Sequence, residues 1–72
     1  MTATETSVQE ILKVTGNENA SGTVRKAVAD IVQKYYDGKG MTLAKGLAVG
    51  LLCDALGVKY GDNAAKIANH LQ

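Results

Sequence analysis

Proline, phenylalanine and tryptophan do not occur in this chain, and cysteine and histidine occur once each. Each gap closes a route. A lone cysteine, Cys53, rules out an intramolecular disulfide. His70 also stands alone, so no CxxC or HxxxH spacing exists and no structural metal is expected. Without Phe or Trp the core must come from Val, Ile, Leu and Ala, and the aromatic content is three tyrosines, Tyr35, Tyr36 and Tyr60. An excess of one charge is missing too: eight basic residues face seven acidic ones, for a formal net charge of +1. Arg25 is the single arginine. A chain dedicated to nucleic acid concentrates basic residues on one face, and this balance argues against one.

Long apolar runs are likewise scarce. Residues 41–58 come nearest to a membrane span, at the short limit for one, but they contain Lys45 and Asp54. A central charge costs about 2.5–3.5 kcal/mol, whereas each large apolar residue returns only about 0.3–0.6 kcal/mol. No span is expected. The opening MTATETSVQE has neither a basic nor an apolar region of a signal peptide, which points to a cytoplasmic chain.

What is present is helical. The 72 residues suffice for one small domain. The expected division is a flexible N-terminus at 1–6 and a single helical domain at 7–72. Ser7 followed by Glu10 fits a capping box, opening a helix through Val8, Ile11, Leu12 and Val14 that Gly16 ends. GNENASG at 16–22 is a polar loop. A second helix runs from Thr23 to Asp37, with Val24, Val28, Ile31 and Tyr35 on one face. A third is predicted from Met41 or Thr42 to Leu56, closed by Gly57, and a fourth from Asp62 through Ala64, Ile67, Ala68 and Leu71. No strand alternation competes. The expected fold is all-α, a compact bundle of three to four short helices. A core this small rarely supplies more than about 3–5 kcal/mol. With disulfide and metal excluded, stabilisation by homo-oligomerisation is expected, most simply as a twofold dimer.

Two surfaces carry the candidate sites. On the second helix Arg25, Ala29, Val32 and Tyr36 form a second stripe beside the first, and a helix in a small monomer buries one face more easily than two. Tyrosine and arginine among small apolar residues are typical of binding hot spots. This stripe, with Lys39 and Tyr60 from the adjoining loops, is the expected partner-binding site. On the third helix Gly46, Val49, Gly50 and Cys53 make a narrow band of small residues. Interior glycine costs about 1 kcal/mol relative to alanine, and close approach of another helix would offset it. This band is the expected oligomer-packing surface.

The chemistry-bearing inventory is thin. Cys53 sits among leucines, where cysteine behaves as a small hydrophobe, so a Cys53–His70 dyad is not favoured. No catalytic residues and no cofactor are expected. The composition reads as a small non-enzymatic helical protein that self-associates and acts as a regulator or inhibitor by binding another macromolecule, with a protein the expected partner. One alternative is a helix-turn-helix DNA-binding regulator using residues 62–72. Asn63, Lys66 and His70 would share its exposed face, with Asn69 and Gln72 nearby. Against it, residues 57–62 make a long turn. A second alternative is a membrane-active, bacteriocin-like peptide, which the seven acidic residues oppose.

Overall fold

Thr2, not Ser7, opens the first helix. The Glu5 backbone N–H donates to Thr2 Oγ1 at 3.1 Å, and the Thr2 N–H returns to Glu5 Oε1 at 3.1 Å. Both Thr2–Glu5 and Ser7–Glu10 have the spacing of a capping box. The upstream pair prevails because it adds a helical turn and frees the Ser7 hydroxyl for a contact across the molecule. Residues 3–6, expected as a flexible tail, are therefore the first turn of α1.

The computed structural model describes residues 2–38 and 43–72. Among them lie four helices and no strand: α1 (Ala3–Val14), α2 (Gly22–Gly38), α3 (Lys45–Leu56) and α4 (Tyr60–Ala68). The all-α bundle is as the periodicity implies. Ser21 starts α2, its Oγ accepting from the Val24 N–H at 3.2 Å. α3 begins at Lys45, after Ala44 in an extended conformation (φ −62°, ψ 150°). The expected start at Met41 or Thr42 falls outside the described residues. α4 begins at Tyr60 rather than Asp62, but its backbone leaves helical geometry at Gly61 (φ −11°, ψ −116°) before the regular turns from Asp62 onward.

Two glycines end helices as expected. Gly16 (φ +74°) follows α1 and Gly57 (φ +68°) follows α3. In each case two backbone donors turn back onto the last carbonyls. Asn17 N–H reaches Leu12 O at 2.7 Å and Gly16 N–H reaches Lys13 O at 3.2 Å. After α3, Val58 N–H reaches Cys53 O at 3.1 Å and Gly57 N–H reaches Asp54 O at 3.2 Å. This pairing satisfies carbonyls that have no partner within a helix, and its left-handed residue is cheap only for glycine.

The helices close into a ring in which α1 touches α2 and α4, while α3 touches α2 and α4. All four feed one aliphatic core. Ile11, Leu12, Val28, Val32, Leu52 and Ile67 are its largest fully buried side chains. Turns at His70 and Leu71 after α4 carry Leu71 back into it. Tyr35 is the one aromatic ring in this core, its hydroxyl reaching out to the Gln72 main-chain oxygen at 2.9 Å.

The left-handed turn after α3 sets how α4 returns to the core, and Gly57→Ala should therefore destabilise the fold. A side chain there costs about 1–2 kcal/mol. Chemical denaturation followed by circular dichroism should show that loss.

Candidate functional site

The Arg25 stripe of α2 faces α1, and this accounts for its apolar character. Val32 is fully buried in the core, so it cannot contribute to an external surface, contrary to the expectation from spacing. Ala29 and Arg25 lie beside Thr4, Val8 and Gln9 of α1. Tyr36 is half-buried, and its hydroxyl lies 2.6 Å from Ser7 Oγ. The same hydroxyl accepts from the Gln72 N–H at 3.4 Å. The Tyr35 and Tyr36 rings are tilted at 57° with centroids 5.5 Å apart. α2 thus buries two faces within one small chain because it packs between α1 and α3, an arrangement that periodicity on one helix does not reveal.

Arg25 is spent on its own loop. Its Nε donates to Ala20 O at 3.1 Å and its Nη2 donates to Glu18 O. The guanidinium holds the 16–22 loop against the start of α2. Lys39 lies outside the described residues. Tyr60 stays a surface residue, 57% exposed, at the mouth of a shallow groove between α3 and α4 that Lys45, Gly46 and Ala64 also line. Tyr60 shares no groove with Arg25 or Tyr36, so the expected partner site does not assemble as one patch.

The small-residue band on α3 also divides. Val49 and Cys53, four residues apart, point into the core and are each 3% exposed. A covalent dimer through Cys53 does not fit that burial. Gly46 is exposed in the groove beside α4 and Gly50 is half-buried, and a methyl group added to either would meet nothing within 4 Å among the described residues. What lies beside them was missed by the search for small residues: Leu47 is 59% exposed and Leu51 39% exposed. α3 is apolar on nearly its whole circumference, and its outer side is left uncovered. The signal was in the sequence, since a helix that is apolar all round demands cover all round.

Electrostatics adds little chemistry. Burial pushes the Cys53 thiol above its ordinary pKa, and the neighbouring Asp54 carboxylate adds to the rise. A thiol kept neutral is a poor nucleophile. Among the described residues no cluster of three or more His, Cys, Asp or Glu could hold a metal, and no helix is long and apolar enough to cross a membrane. On α4, Lys66 is exposed and Asn63 half-buried, with Asn63 Nδ2 donating to Lys59 O at 2.8 Å, and His70, in the turn after α4, is half-buried. Comparison with protein families, with curated proteins and with solved structures finds no match.

Two measurements follow from α3. At concentrations where the chain is monomeric, Gly50→Ala should raise stability by about 1 kcal/mol, because helix propensity improves and nothing stands in the way of the methyl. A loss of stability in thermal melts would mean that the space beside Gly50 is filled. Cys53 gives a pH dependence. Its folded pKa lies above the unfolded value, so its contribution is whole below the unfolded pKa and is lost as pH rises toward the folded one. The stability difference between wild type and Cys53→Ala, from denaturant titrations, should shrink as pH climbs from neutral through the thiol range.

Proposed function

We propose that the chain is a small, non-enzymatic, cytoplasmic helical protein that self-associates and acts as a regulator or inhibitor by binding another macromolecule, a protein by preference. The observation that carries this reading is the uncovered apolar surface formed by Leu47 and Leu51 on α3, with Tyr60 exposed at the start of α4. Large apolar side chains held open on rigid helices cost solubility and give nothing to the fold of a single chain, whereas they suit a surface that binds. Leu47 and Leu51 take on the self-association role first sought at Gly46, Val49, Gly50 and Cys53 on the same helix. Of the expected partner residues, Tyr60, beside Lys45, keeps the partner contact. Its ring and hydroxyl offer a flat contact and a hydrogen bond at low entropic cost.

A second reading rests on the α3–α4 connection. Residues 57–59 lie between the two helices, and regular helix resumes at Asp62 beyond the break at Gly61, so two helices joined by a brief connection keep the outline of a helix-turn-helix with a turn as long as expected. In that reading α4 would present Lys66 and Asn63 to DNA, with Asp62 opposing the phosphates.

Light scattering over a concentration series should give a mass above that of one chain, and Tyr60→Ala should weaken binding of a partner recovered from lysate about tenfold while leaving that mass unchanged. Random duplex DNA should show no measurable affinity at physiological salt. Submicromolar binding with a steep salt dependence, reduced by Lys66→Ala, would favour the second reading instead.

A further inference from the structure

Resting on the self-association reading, we infer that the outer face of α3 is covered by α3 of a second copy, antiparallel and related by a twofold axis. Four exposed residues define the contact: Ala44, Leu47, Leu51 and Asp54. Their spacing of three, four and three residues reads the same in both directions, and it is the seam spacing of paired helices. Ala44 and Asp54 are about 15 Å apart along the helix axis. Turned antiparallel, the stripe sets Leu47 against the partner's Leu51 and Asp54 against the partner's Ala44. Both matches arise from a single register.

Charge selects the antiparallel sense. α3 starts without a side-chain cap and without an acidic residue in its first turn, and its first residue is Lys45. The helix N-terminus carries a partial positive charge and free N–H groups. Asp54, exposed near the other end, supplies the missing anion to the partner copy, and by symmetry receives the same in return. A parallel pair would instead bring the two Asp54 carboxylates together and the two positive ends together.

Shape agrees with this register. Beside Leu51 lies an open hollow between α2 and α3, walled by Ile31 and Leu43 with Lys34 at its rim. The partner's Leu47 enters it. Gly50 flanks the seam with open space in place of a side chain, which lets the two backbones approach closely. A three-turn seam with one hollow on each side falls near the lower limit of about 1,200 Å² that stable interfaces bury. The dimer is therefore a concentration-dependent one, with a Kd on the order of micromolar.

Sedimentation equilibrium of the full chain should show a monomer–dimer equilibrium. The double variant Leu47→Gln/Leu51→Gln, both at exposed positions, should remain monomeric with unchanged helicity, and Asp54→Lys should weaken the dimer about tenfold. Register is read by mixing Leu47→Cys and Leu51→Cys variants, each made in a Cys53→Ala chain, under mild oxidation. The mixed disulfide should form in preference to either homodisulfide. Preferred homodisulfides would overturn the antiparallel register. A dimer that survives Leu47→Gln/Leu51→Gln would overturn the α3 surface while leaving self-association standing. A chain monomeric at every concentration tested would overturn both.

Discussion

The burial of α2 on two sides is the constraint from which the rest of this fold follows. Val28 and Val32 sit at zero exposure, with Tyr35 and Ile31 beside them. A chain without phenylalanine or tryptophan fills its interior mostly with short aliphatic side chains, and such side chains reach across a narrow gap. Helices must therefore come close and enclose the core from all sides. Packing α1 and α3 on either side of α2, then closing the ring with α4, does this with short connections. Each helix gives up one or two faces to its neighbours, and α3 keeps two leucines exposed.

That surplus gives the molecule a sidedness. The α1–α2 seam is finished: Arg25 holds its own loop, and Tyr36 is bonded to Ser7 and Gln72. The α3 side is unfinished, with leucines in solvent and glycines against open space. A surface that lowers its free energy only by meeting something else is the physical basis for reading this chain as a binder.

Much of the fold was legible in the sequence because it is written in local rules. Gly16 and Gly57 mark helix ends by needing a left-handed backbone, and Val8, Ile11, Leu12, Val28, Ile67 and Leu71 mark inward faces by their period. The start of α1 was misplaced because Thr2–Glu5 and Ser7–Glu10 obey the same rule, and only the distant Tyr36 hydroxyl decides between them. The sites were harder for a related reason. A helical wheel ranks residues around one axis but does not say on which sides the neighbours lie. Val32, placed in the expected partner stripe, and Cys53, placed in the expected packing band, lie in the core, whereas Leu47 and Leu51, in neither, are exposed. Gly50, singled out for its size, lies on the same helix as the exposed Leu47 and Leu51.

The Tyr36 hydroxyl has a mechanical meaning. It sits where α1, the end of α2 and the segment following α4 meet, touching Ser7 on one side and the Gln72 backbone on the other. The ring of helices is thereby latched at one corner, with the beginning and the end of the chain brought to a common post. A tensile load applied between the two ends does not travel through the aliphatic interior at first. It meets first the bonds of the Tyr36 hydroxyl to Ser7 and Gln72 and of the Tyr35 hydroxyl to Gln72, all of them polar links at the rim of the core.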